Sequence, residues 1–249
     1  MPMQNLKKLI TSLKNNGLAE TIRLIVKKLK YKKMLKAESL EDRFNLIYQE
    51  NHWSSNESIS GDGSEIAYTK NLRSWLVKKI NELDVKKLVD APCGDFNWMK
   101  LVTQEVDIDY IGIDIVQDII EINNKLYQNS NINFDIGNIC KDALPACDLL
   151  MVRDCLFHLS FEDINKFLKN ISNLEYKYLL TTTHMLDEEY LNKDIKSGDF
   201  RHINLFNKPF NFSQSDVIDR VNDFPDNHKL LAREMILVEK QNVPSSITN

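Results

Sequence analysis

Between residues 86 and 183, short apolar runs alternate with helix-length amphipathic stretches, and this alternation restricts the fold more than any other feature of the chain. "KKLVD" (86–90), "DYIGIDI" (109–115), "INFDIGNI" (132–139), "CDLLMVRD" (147–154) and "YKYLLTTT" (176–183) read as strands. Helices are expected over 97–104, 117–128 and 160–170. Strands separated by helices run parallel and bury both faces of their sheet under helices. Near the end, "DVIDRVND" and "KLLAREMILVEK", joined by a turn at Pro225-Asp226-Asn227, predict two more strands and one antiparallel edge. The expectation is an α/β fold with a doubly wound, mostly parallel seven-stranded sheet, helices on both faces, and an N-terminal helical extension.

The extension differs from the body in charge. Residues 1–36 carry +9 and the remaining 213 carry −13, which together give the net −4. Leu6, Leu9, Ile10 and Leu13, then Ile22, Ile25, Val26 and Leu29, fall at helical spacing with Lys on the other faces. Such an arm either packs one face on the body with the rest in solvent, or meets an anionic lipid surface or an acidic protein. We divide the chain into a basic arm (1–40) and a body (41–249). The body comprises N-terminal helices and a polar loop (41–85), a core (86–183) and a closing segment (184–249). The acidic body disfavours nucleic acid as a partner. No stretch approaches the ~20 apolar residues of a membrane span, and no secretory signal is visible. Cys93, Cys140, Cys147 and Cys155 form no C-x-x-C pair, so reduced thiols, a cytoplasmic location and no metal centre are expected.

The chemistry concentrates in "LVDAPCGDFNWM" (88–99). Ligands of doubly wound sheets bind at the carboxyl ends of the strands. Here the first strand ends in Asp90, the segment Ala91-Pro92-Cys93-Gly94 turns tightly, and Asp95 follows. Neither G-x-G-x-x-G nor G-x-x-x-x-G-K-[ST] is present. A pyrophosphate would not sit beside two acids, and a nicotinamide enzyme is disfavoured by the missing glycines. Asp114 ends the second strand, placed to accept the hydroxyls of a ribose. A ligand with a ribose, a cation and no phosphate meets these conditions, as S-adenosylmethionine does.

With these residues the chain resembles the Rossmann-like class I S-adenosylmethionine-dependent methyltransferases. "LVDAPCGDF" is similar to their first motif, with Pro92 at a usual glycine. "IGIDI" resembles the second, which implies Asp114 on the ribose beside Ile115. "GNI" (137–139) resembles the third, which implies Asn138 at the adenine amino group and Ile139 on the ring. "LLMVRDCLFHLS" resembles the fourth strand and its exit. A narrower resemblance, carried by "IYQENHW…SGDGS…T…LRSWL" and "FRHINLFNKPFNF", is to methyltransferases found with bacterial capsule and surface-polysaccharide genes. It implies a loop with Trp53, Ser60, Gly61 and Ser64 folded over the cofactor, and Arg73 on its carboxylate. A free solvent loop is the alternative for residues 51–69.

The resemblance implies methyl transfer to a small acceptor or an activated glycan precursor. A neutral hydroxyl needs a base, for which Asp154, His158 and His184 are the candidates. Each also has a structural reading: a helix N-terminal acid or cofactor contact, a satisfied buried histidine, a strand end. An anionic phosphate or phosphoramidate oxygen needs placing groups instead, such as Arg153, Arg201, His184 or His202. Arg153 could alternatively contact the cofactor or form a surface salt bridge. Trp98, Arg201, His202, Asn204 and Phe210 are the candidate acceptor contacts, although 201–211 could equally be a structural lid. "VRDC" stands where amino-group methyltransferases carry Asn-Pro-Pro-aromatic, which favours oxygen as the acceptor atom. If Asp154, His158 and His184 are all structural, the chain is a cofactor-binding scaffold or sensor.

Overall fold

A computed structural model describes residues 2–53, 55–225 and 232–248, with the side chains of residues 2–14, 16 and 27 outside the description. Three helices precede the sheet: α1 (Pro2–Met34), α2 (Leu40–Gln49) and α3 (Lys70–Glu82). Then β1 (Lys87–Asp90), α4 (Met99–Thr103), β2 (Asp109–Asp114), α5 (Gln117–Tyr127), β3 (Ile132–Ile136), β4 (Leu149–Val152), α6 (Phe161–Ser172) and β5 (Tyr178–His184) follow the expected alternation. β6 (Val217–Asn222) and β7 (Arg233–Glu239) close the chain; residues 226 and 227 of the expected turn lie outside the described residues. α1 bends at Gly17, whose φ of 75° breaks the helix into two pieces. No helix among the described residues is long and apolar enough to cross a membrane.

The sheet order is β3-β2-β1-β4-β5-β7-β6, with β1 to β5 parallel. β7 is antiparallel to both of its neighbours. The antiparallel strand is therefore not at the edge, as expected from the sequence, but between β5 and β6. The physical reason lies in the side chains. Met235, Ile236, Leu237 and Val238 are buried on both faces of β7, which demands cover on both sides. β6 alternates half-buried and exposed positions, as an edge strand with one wet face does.

Each face of the sheet carries a core. α6 contributes Ile164, Phe167, Leu168 and Ile171, spaced to form one apolar face, and Ser160 caps it by accepting from the Asp163 N–H at 3.1 Å. On the opposite face, Leu72, Leu76 and Ile80 of α3 pack with Met99 and Val102 of α4. β1 and β4 are neighbours whose flanking connections run to opposite sides, so a crevice opens at their carboxyl ends.

Candidate active site

A cavity of about 470 Å³ occupies that crevice. Its floor is the exit of β1. Asp90 is buried and accepts a hydrogen bond from the Tyr110 hydroxyl at 2.8 Å. Burial pushes its carboxyl up to about 7, although Tyr110 and nearby Arg153 pull the other way. The turn that follows is tied to β2: Cys93 N–H donates to the Ile113 carbonyl, and Gly94 N–H to Asp114 Oδ2 at 3.0 Å. Asp114 Oδ1 accepts from Val116 N–H at 3.0 Å, and burial raises this carboxyl to about 6. Gly94 has φ +54°, and a Cβ there would strike the Ser60 hydroxyl, so the position needs glycine on both counts. Neither Asp90 nor Asp114 has a cationic side chain as its hydrogen-bonding partner among the described residues. A cavity with two buried acids, each served by a phenol or by backbone N–H groups, fits a ribose-bearing cation.

The loop 57–65 covers this floor. Asp95 accepts from the Ser58 hydroxyl at 2.8 Å and from Ile59 N–H at 3.0 Å, while its own N–H donates to Ser60 Oγ. Arg153 Nη2 donates to the Gly63 carbonyl at 2.7 Å, and Asn97 Nδ2 to the Ser64 carbonyl at 3.1 Å. Ser60, Gly61 and Ser64 thus line the cavity, as do Trp53, Pro92 and Cys93. Residues 58–64 are therefore not a free solvent loop. Asp95 is not at the cavity surface: its carboxylate holds the cover in place. Arg73 is also absent from the lining, because its guanidinium donates to Thr69 Oγ1 and the Ile66 carbonyl. Ala91 is buried behind the turn.

On the β2–β3 side, Ile115, Asn138 and Ile139 line the cavity. The Asn138 carboxamide is already engaged: Nδ2 donates to Glu41 Oε1 at 2.9 Å and Oδ1 accepts from Cys140 N–H. α2 supplies Leu40, Phe44 and Tyr48, one face at four-residue spacing. Those three escaped the sequence reading, although the apolar spacing of Phe44 and Tyr48 was visible.

The opposite wall, at the exits of β4 and β6 and the start of β7, is an ion-pair quartet. Arg153 donates from Nε and Nη2 to the two oxygens of buried Asp223, at 3.0 and 2.9 Å, and lies 5.2 Å from the Trp98 ring centre. Burial opposes its charge, but Asp154 and Asp223 more than offset this and raise its pKa. Arg233 pairs with Asp154 at 2.8 Å and with Asp223 at 3.3 Å. Asp154 adopts φ 52°, a left-handed conformation that aspartate tolerates, and its N–H donates to Thr182 Oγ1. Arg233 had no sequence motif to announce it.

His158 stands beside the quartet on the 156–159 turn. Its Nδ1 lies 2.9 Å from the Asp199 carbonyl, which can only accept; the proton is thereby assigned to Nδ1, leaving Nε2 as a lone-pair acceptor. Burial lowers its pKa and keeps the ring neutral. Trp53 packs 5.5 Å away, and Phe200 lies on its other side at 5.8 Å. His184 does not reach the cavity. It sits behind Phe157, accepts from Ile203 N–H, and is held at about 3 by burial and His202.

Of the expected acceptor contacts, Trp98 lines the cavity. The others support it from behind. Arg201 donates to the carbonyls of Leu159 and Leu156, fixing the turn that carries His158. His202 packs on His184, Asn204 donates to the Leu186 carbonyl, and Phe210 is fully buried against Phe161. No group of three or more potential metal-ligating side chains occurs among the described residues, and all four cysteines are unpaired.

No protein-family model and no curated protein matches this chain. Solved structures do resemble it. One, described as "PigF with SAH", aligns with a TM-score of 0.57 at 11% identity, covering 86% of this chain and 69% of that one. The magnesium protoporphyrin IX methyltransferase of Synechocystis PCC 6803, solved with SAH, aligns at 0.55 and 9% identity, covering 80% and 97%. Human N-acetylserotonin methyltransferase, solved with SAM, aligns at 0.53 and 13% identity, covering 93% and 69%. The protein thus has the fold of S-adenosylmethionine-dependent methyltransferases.

Proposed function

We propose that the protein is an S-adenosylmethionine-dependent O-methyltransferase acting on a neutral hydroxyl of a small polar acceptor. The observation that carries this reading is the division of one cavity into a wall of acids with no cationic hydrogen-bonding partner among the described residues and a wall of ion pairs, with Nε2 of His158 beside the latter as a lone-pair acceptor. The donor supplies a methyl group on a sulfonium. Asp114 would hold its ribose, Asp90 would favour its positive charge, and the Ser60–Ser64 loop would exclude water. His158 Nε2 would accept the hydroxyl proton as the oxygen takes the methyl. A phosphate or phosphoramidate acceptor would have to draw on Arg153 or Arg233, which Asp223 and Asp154 already neutralise. The resemblance around the 58–64 loop and the 200–212 segment supports a sugar of a bacterial surface polysaccharide as the acceptor. Four unpaired thiols suit a reducing compartment, and we assign the enzyme to the cytoplasm.

The test has two steps. Calorimetric titration should show one site for S-adenosylhomocysteine, lost in Asp114→Ala. S-adenosylhomocysteine release from the donor should then rise with neutral glycosides and not with sugar phosphates. Binding without turnover on any acceptor would make the chain a scaffold or sensor. Failure of folded protein to bind would overturn the methyltransferase reading.

A further inference from the structure

α1 is pinned to the body along one side and bare along another. Tyr31 donates to the Gly198 carbonyl at 2.7 Å and stacks on His52 at 4.1 Å. Lys30 pairs with Glu50 at 2.8 Å, and Met34 is buried. Away from these contacts, Leu18, Ile22, Ile25 and Leu29 are 67%, 51%, 41% and 61% exposed. Their spacing of four, three and four residues places them in a single stripe along the helix. Val26, also exposed, widens it.

The charges around the stripe are of one sign. On a helical projection Lys28 and Lys32 border it on one side and Lys33 on the other, all exposed. The one acid of this helix, Glu20, lies on the opposite side and pairs with Arg23 at 3.0 Å. A second copy of the chain would bring a second row of lysines against the first. A surface with its own negative charge and an apolar interior satisfies both rows at once.

We propose that residues 18–33 form a peripheral docking face for an anionic lipid surface, with the apolar stripe inserted between headgroups and the lysines on lipid phosphates. The helix lies in the interface and does not cross it. The body, fixed through Tyr31 and Lys30, is then held against the membrane. This docking does not depend on the reaction the cavity carries out.

The test is co-sedimentation of the full-length protein with vesicles of phosphatidylglycerol and phosphatidylcholine in equal parts, beside vesicles of phosphatidylcholine alone. The protein should partition onto the anionic vesicles and be released by salt. Lys28→Gln/Lys32→Gln/Lys33→Gln should weaken partitioning roughly 100-fold, at ~1 kcal/mol per lysine. Ile22→Gln/Leu29→Gln should weaken it as well, with an unchanged circular dichroism spectrum showing that the body is folded. Equal binding to both vesicles, or to neither, overturns the proposal. A dimer in sedimentation velocity that Ile22→Gln/Leu29→Gln dissolves, with no vesicle binding, would assign the stripe to a second copy instead.

Discussion

The two walls of the cavity handle buried charge in opposite ways. At the exits of β1 and β2, Asp90 and Asp114 are partnered by a phenol and by backbone N–H groups. At the exits of β4 and β6 and the start of β7, two guanidiniums face two carboxylates. In the second wall each guanidinium lies against carboxylates, whereas in the first neither acid has a cationic hydrogen-bonding partner among the described residues. Burying such charge costs folding free energy, and a cationic ligand is the natural counterpart. Charge balance within a few ångströms, more than burial itself, thus separates a wall that awaits a ligand from one that frames it.

The largest effect should come from breaking the ion-pair wall. Asp223→Ala leaves Arg153 buried without its bidentate partner and should cost about 3–5 kcal/mol of stability in urea denaturation. On the other wall, Asp114→Ala should weaken S-adenosylhomocysteine binding about 100-fold by calorimetry, from two charge-assisted hydrogen bonds at ~1.5 kcal/mol each.

The pH dependence sharpens the contrast. Asp90 and Asp114, raised to about 7 and about 6, keep protons in the folded state that the unfolded chain releases near pH ~4. Their contribution to stability is full below that value and is lost as pH rises through 6 and 7. The melting temperature of the ligand-free protein should therefore fall by several degrees across this interval, with a flatter curve for Asp90→Asn. S-adenosylhomocysteine binding should strengthen over the same interval as the carboxylates ionise. A wild-type curve as flat as that of Asp90→Asn would show that the first wall carries no uncompensated charge. The smallest effect belongs to the cover. Asp95→Ala removes the acceptor for Ser58 and Ile59, and should ease local opening by about 1–2 kcal/mol, read as faster hydrogen exchange over residues 57–65.

The acid wall was legible because its residues lie on consecutive strand ends, each within a short motif that the strand–helix alternation fixes in space. The ion-pair wall was half legible. Arg153 and Asp154 follow β4 directly, whereas Asp223 and Arg233 come from the far end of the chain and meet them only through the β6–β7 pairing. The 201–210 segment misled for a different reason. Arg201 and Asn204 are polar because they satisfy buried carbonyls of neighbouring loops, and in one dimension such residues look like ligand contacts. The interior place of β7 is readable from its unbroken apolar run, Met235 to Val238, beside the alternation of β6.

The quartet also bears on how this protein can diverge. Arg153 and Arg233 share Asp223, so Asp154 alone makes the sum of the wall zero. Exchange of Asp154 for asparagine, one base change in its codon, would leave a guanidinium unmatched at the cavity wall while sparing every contact of Asp90 and Asp114. On the reading proposed above, that single step would favour an anionic acceptor oxygen over a neutral hydroxyl while the contacts of Asp90 and Asp114 stay as they are.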